Sequence, residues 1–198
     1  MSTLTIQALR GADATPWLDA IAQLRIDVFR EWPYLYAGNL PYEQGYLRTY
    51  FDCPDSIVLL ALDDDALVGA STALPLAAAE TEMQAPFIQA GISTDDWLYF
   101  GESVVLDTYR GRGLGVGFFA ERESHALALG LKRCTFCAVE RPDTHPAKPP
   151  HYIGNERFWT NRGYTPMDLV CHFAWPDIGA TESTDKPMRF WERTLPTG

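Results

Sequence analysis

The stretch Glu102-Ser103-Val104-Val105-Leu106-Asp107-Thr108-Tyr109-Arg110-Gly111-Arg112-Gly113-Leu114-Gly115-Val116-Gly117 decides how this chain folds. Its first part closes a β-rich run from Trp97 to Leu106. Gly113 to Leu129 then reads as a helix, with Val116, Phe119, Ala120 and Leu127 set toward a core. The turn between them is rich in glycine, which permits tight backbone and lets main-chain amides approach a ligand without a Cβ in the way. The opening amides of a helix have no intrahelical acceptor, and the helix dipole favours an anion there. Arg110 and Arg112 add charge-assisted bonds. The segment reads as a cradle for an anion such as a pyrophosphate, or as a loop that glycine merely permits. It is not a GxxxxGK[ST] loop, and GxGxxG fails because Val116 or Phe118 stands where the last glycine is needed.

Working outward, Arg133–Val139 is a second strand, so residues 97–139 form a strand–helix–strand unit, most simply a right-handed parallel crossover. Leu4–Leu9 alternates as a first strand. Thr15 caps a helix with Pro16 at its first position and Leu18, Ile21, Leu24, Val28 and Phe29 at helical spacing. A short helix is expected around Tyr42–Phe51, and Ile57–Leu62 with Ala66–Leu74 reads as a hairpin across Asp63-Asp64-Asp65. Residues 75–95 stay open between Ala-rich helix and loop. The proline-rich loop 141–154 leads to a short helix at Asn155–Arg162 ending on Gly163, and Leu169–Trp175 and Met188–Leu195 close the order as strands. With no internal repeat and no long linker, residues 1–198 read as one domain.

The formal charge of −10 argues against a nucleic-acid partner, because a phosphate backbone rewards a basic face. Arg110, Arg112, Arg122, Lys132 and Arg133 nonetheless cluster in sequence, which suits a small phosphorylated ligand. No apolar run approaches the ~18 residues that cross a bilayer. Met1–Arg10 lacks the pattern of a secretory leader, so a cytoplasmic location without membrane contact is expected. Cys53, Cys134, Cys137 and Cys171 are too sparse for a disulfide scaffold. Cys134 and Cys137 make a C-x-x-C whose thiols project to opposite faces of a strand. They read as buried structural thiols; with His145 and His151 on a proline-rich loop, no metal site is expected.

The pattern R-x-x-G-x-G, as Arg110-x-x-Gly113-x-Gly115, follows a hydrophobic strand with Val105 five residues before the arginine. Phe158-Trp159 followed by Gly163-Tyr164 stands downstream. These motifs and the order of elements resemble the GNAT N-acetyltransferase superfamily, strongly over 97–175 and by pattern before that. The resemblance implies an α/β (α+β) three-layer fold: a central mixed, mostly antiparallel sheet of about seven strands flanked by helices. It implies acetyl-CoA as co-substrate. Ser103, Val104 and Val105 would give main-chain contacts to pantetheine. Arg110, Gly111, Arg112, Gly113, Leu114, Gly115 and Val116 would hold the pyrophosphate, with Asn155 and Trp159 beside the cofactor.

The implied reaction is direct acyl transfer in a ternary complex to a primary amine of a small molecule or peptide, with a backbone amide near Val104 stabilising the oxyanion. A base must take the amine proton. Glu102 is the first candidate and Glu140 the second; either could instead be an ion-paired surface carboxylate, Glu140 for instance with Arg141. Where the family often has a proton-donating tyrosine this chain has Trp159, whose indole is not an acid at neutral pH. Tyr152 could donate the proton or merely pack, and water is the other source. Asn155 could touch pantetheine or cap its helix. The acceptor region holds Phe29, Trp32, Tyr34, Tyr36 and Tyr42 with Asp27 and Glu31, either a site for a cationic amine or ordinary core. A non-catalytic acyl-CoA-binding or sensor module is the alternative function. A homodimer through Phe190-Trp191 on the last strand is a further expectation.

Overall fold

The computed structural model describes residues 3–196. The elements in chain order are β1 (Leu4–Leu9), α1 (Leu18–Phe29), α2 (Leu40–Phe51), β2 (Ile57–Asp63), β3 (Ala66–Pro75) and α3 (Thr81–Gln89). There follow β4 (Trp97–Val105), α4 (Leu114–Ala128), β5 (Arg133–Val139), α5 (Glu156–Thr160), β6 (Thr165–Pro176) and β7 (Ser183–Thr194). The strands form one sheet in the order β1-β2-β3-β4-β5-β7-β6, antiparallel except at β4 and β5. That parallel step needs a long crossover, which α4 supplies.

Helices cover both faces. β2 is apolar at Ile57 through Ala61 because both its faces are buried: Val58 and Leu60 pack with α1, α2 and α3, while Ile57, Leu59 and Ala61 pack with α4. This is the expected three-layer arrangement. The C-x-x-C is divided the same way, Cys134 in the α4-side core and Cys137 in the other.

Several local expectations change. Pro16 lies inside a 3-10 segment, Gly11–Trp17, and the Thr15 hydroxyl donates to the Ala12 carbonyl at 2.7 Å, so α1 starts only at Leu18. α2 starts at Leu40, where the Asn39 side chain accepts from the Tyr42 amide at 3.1 Å. Residues 81–89 are helix. α4 buries Leu114, Phe118, Phe119, Arg122, His125 and Ala126. Val116 and Leu127 are exposed, as is Ala120. The true stripe was masked by its two polar members. Arg122 lies over the Phe100 ring at 4.0 Å and donates to the Phe118 carbonyl at 3.1 Å, so it is core and leaves the basic cluster. Phe190 and Trp191 are likewise buried at 0% and 8% exposure and cannot form a dimer patch.

Two irregularities in β4 set up the site. Ser71 of β3 faces Ser103, but Ala73 faces Phe100, so β4 carries one extra residue between these pairs. The resulting bulge at Gly101-Glu102 reverses the faces of the strand: Leu98 and Phe100 point to α4, whereas Val104 and the Glu102 side chain point to α1 and α2. On its other edge β4 pairs with β5 only at Trp97–Arg133, Leu98–Cys134 and Tyr99–Thr135. Beyond Tyr99 the two strands part, and a V opens between Phe100–Val105 and the end of β5.

Candidate active site

The cradle is built at the mouth of this V. Gly111 and Gly113 have φ of 74° and 87°, the left-handed region open to glycine, and a Cβ at either would meet nothing within 4 Å. The space over the turn is therefore free for a ligand. Below it α4 presents the amides of Leu114, Gly115 and Val116, which have no intrahelical acceptor. A groove of about 330 Å³ between Arg112–Leu114 and Leu4–Ile6 adjoins the turn. The other two glycines serve packing instead. A Cβ on Gly115 would lie 3.1 Å from the Phe158 ring, and one on Gly117 would lie 2.4 Å from Ile6 Cδ1.

Both arginines of the turn border it from exposed positions. Arg110 pairs with Glu31 at 2.7 Å and donates from Nε to the Val105 carbonyl at 3.2 Å, which ties the turn to the loop after α1. Arg112 donates to the Thr108 carbonyl at 3.0 Å and lies over the Tyr109 ring. Trp159 packs on Phe136 and Trp191, with ring centroids 5.1 and 5.0 Å away. Asn155 stands at the N-terminus of α5 and makes no capping bond with its side chain.

Glu102 is 4% exposed and its carboxylate bonds to the guanidinium of Arg25 on α1. The same guanidinium bonds to Glu43 of α2, which is fully buried, and lies over the Tyr46 ring at 4.4 Å. One cation thus serves two carboxylates and joins three elements, α1, α2 and β4. Burial pushes the Glu102 carboxyl above the usual carboxylate range, with Glu43 acting in the same sense, while Arg25, the Thr72 hydroxyl and Arg122 oppose it. The main-chain carbonyl of Glu102 accepts from Ser71 Oγ at 2.7 Å, which pins the bulge. Glu140, by contrast, is exposed and pairs with Arg189 at 2.6 Å, not with Arg141.

The aromatic segment after α1 packs between α1 and β6. Tyr34 meets Phe29 at 4.5 Å and Trp175 of β6 at 6.0 Å. Arg141 clamps this segment, donating to the Pro33 and Tyr34 carbonyls at 3.0 and 2.8 Å and pairing with Asp177 at 2.7 Å. Trp32 touches His145 at 5.0 Å and Tyr152 edge-on at 6.1 Å. Burial and neighbouring Glu156 raise the Tyr152 phenol, while Arg110 of the glycine turn lowers it. Tyr42 is 57% exposed on α2.

Sequence reasoning missed Arg25, Glu43 and Arg141. Arg25 falls on the apolar stripe of α1, four residues after Ile21, and Glu43 falls four before Leu47 on α2. A charged residue at a core position demands a partner, and that signal was present.

Comparison with known proteins gives the geometry a context. The family model described as acetyltransferase (GNAT) family matches residues 19–149. Among solved structures, the Salmonella typhimurium protein yncA, with its cofactor acetyl-CoA, superposes with a TM-score of 0.57 at 12% identity, covering 98% of this chain and 95% of that one. An aminoglycoside 6'-N-acetyltransferase complexed with coenzyme A gives 0.61 at 15% identity, covering 98% and 99%. A ribosomal-protein-alanine N-acetyltransferase from Brucella melitensis gives 0.62 at 15%, covering 97% and 100%. No curated protein sequence matches the chain. Among the described residues no helix is long and apolar enough to cross a membrane.

Proposed function

The chain belongs to the acetyltransferase (GNAT) family, and we propose that it moves the acetyl group of acetyl-CoA onto a primary amine of a small molecule or peptide, with both substrates bound together. The observation that carries this reading is the V between β4 and β5 with the open, left-handed glycine turn at its mouth. The backbone of Gly111 to Val116, with Arg110 and Arg112, would hold the pyrophosphate, and the unpaired edge at Ser103, Val104 and Val105 would hold the pantetheine arm. Asn155 and Trp159 would flank that arm. Acetyl-CoA supplies an activated thioester carbonyl.

The chain's own groups do the rest. A main-chain amide near Val104, on the edge of β4 that faces the V, is the donor for the oxyanion. Glu102 takes the amine proton, and its burial routes that transfer through a water molecule. Tyr152, kept protonated by burial, returns a proton to the departing thiolate. Phe29, Trp32, Tyr34 and Tyr36 with Glu31 suit a cationic amine.

The test begins with binding. Acetyl-CoA at 100 times its dissociation constant adds about 2.7 kcal/mol to stability, roughly 5–11 °C in melting temperature for a chain of this size. Gly113→Ala puts a side chain on a residue with φ of 87° and into the open cradle, so it is expected to abolish most of that rise. Equal rises in both proteins would sink the cradle assignment. Thiol release across a panel of amines then decides turnover. Binding without turnover by any amine would mark a sensor instead. Tyr152→Phe is expected to slow turnover about tenfold or more while leaving the acetyl-CoA melting shift intact.

A further inference from the structure

The reading of Glu102 as base leaves its surroundings unexplained. A general base placed against an arginine ordinarily becomes a poor one, because the guanidinium holds it ionised. Here the guanidinium is shared. Arg25 Nε bonds to Glu43 and Nη1 to Glu102, and all three residues are buried, at 7%, 0% and 4% exposure. The three groups carry two negative charges against one positive, so the pair of carboxylates competes for one cation.

We infer that Arg25 and Glu43 are positioning residues for the base: Arg25 aims the Glu102 carboxylate from α1, and Glu43 draws enough of the guanidinium away to keep that carboxylate basic. This rests on the assignment of Glu102 proposed above. The groups facing Glu102 are Arg25 of α1, Glu43, Tyr46 and Tyr50 of α2, Thr72 of β3 and Arg122 of α4. Of these, Arg25 and Arg122 are cations, and Arg122 is turned toward the Glu102 main-chain carbonyl at 3.4 Å. Glu43 is the one carboxylate in the set. Its effect on Glu102 is therefore specific in sign: removing its charge frees Arg25 for Glu102 and also removes a repulsion.

The arrangement also joins the acceptor side to the chemistry. α1 and α2 shape the region where an amine would enter, and Arg25 bonds each of them to the bulge of β4. A shift of α2 alters how Arg25 divides itself between the two acids.

The experiment measures the titration midpoint of the Glu102 carboxyl directly, by NMR on ligand-free protein labelled in its glutamate carboxyl carbons, with Glu102→Gln identifying the signal. Glu43→Gln is expected to move the midpoint down by about one pH unit and Arg25→Met to move it up by at least as much. The acid limb of the kcat/KM profile should follow in the same directions. A merely structural role for Glu43 would lower stability without moving the midpoint. An unchanged or raised midpoint in Glu43→Gln overturns the inference, whether or not Arg25→Met folds. If instead the midpoints move as expected while Glu102→Gln keeps full turnover, the network stands as an electrostatic one, and both the base assignment and these residues' role in catalysis are overturned.

Discussion

Replacing Glu102 by Gln is expected to lower turnover about 10²- to 10⁴-fold, the usual contribution of a positioned proton acceptor, while the melting shift caused by acetyl-CoA is retained. The separation follows from geometry. The carboxylate points to α1 and α2, whereas the cradle for the cofactor lies beyond Val105 at the start of α4. Gln keeps the shape and can still accept from Arg25, and Glu43 continues to balance the guanidinium.

The pH dependence has a definite sign. The folded-state carboxyl is raised above its ordinary value by burial. Activity requires the ionised form, so kcat/KM falls as pH drops through that raised value, earlier than for an exposed glutamate near 4.3. Stability runs the other way. A raised folded-state value means the neutral form is favoured by folding, a contribution complete below the unfolded value and lost as pH rises through the folded one. Glu102→Gln should therefore unfold at neutral pH no lower than the parent, while being slower. A variant that is inactive because it is unfolded, or one that is fully active, would remove Glu102 from the proposed mechanism.

Much of this architecture was legible from residue pattern. Glycines at 111 and 113 between a hydrophobic strand and a helix predict a tight turn feeding a helix N-terminus; the turn forms, with both glycines left-handed. The hairpin of Ile57–Leu62 and Ala66–Leu74 also forms, as β2 and β3. What stayed hidden were contacts between elements far apart in sequence. Arg25, Glu43 and Glu102 meet only because α1, α2 and the bulged part of β4 converge. Arg141 reaches back over a hundred residues to the carbonyls of Pro33 and Tyr34. The stripe of α4 was misplaced because Arg122 and His125 occupy core positions, satisfied there by the Phe118 and Asp55 carbonyls. Ion-paired and hydrogen-bonded polar groups defeat a reading based on hydrophobic period alone. The bulge did leave a trace. An isolated glycine inside a strong strand, Gly101, signals either a bulge or a close backbone approach, and here it marks both.

That glycine yields the sharpest structural test. A Cβ at Gly101 would lie 2.3 Å from the hydroxyl oxygen of Tyr50 and 2.4 Å from Thr72 Oγ1. Neither neighbour can swing into solvent, since Tyr50 is 2% exposed and Thr72 fully buried. Gly101→Ala is therefore expected to destabilise the fold by about 1–3 kcal/mol through overpacking, roughly 2–12 °C in melting temperature. Gly117→Ala makes a useful contrast. Its Cβ meets the Ile6 Cδ1 atom at 2.4 Å, the tip of a flexible chain on the edge strand β1, and should cost less. The functional consequences also diverge. Gly101 belongs to the bulge that turns Glu102 toward Arg25, so pushing α2 away at Tyr50 disturbs the aim of the base, and turnover should fall beyond what lost stability explains. Tyr50→Phe combined with Gly101→Ala removes the nearest clashing atom and leaves Thr72 Oγ1 at 2.4 Å and the ring carbon at 2.7 Å. The pair should recover part of the stability and part of the rate, a coupling that a double-mutant cycle measures directly. Independent, additive losses would mean that Gly101 matters for its backbone freedom alone, and that the bulge is not held against α2.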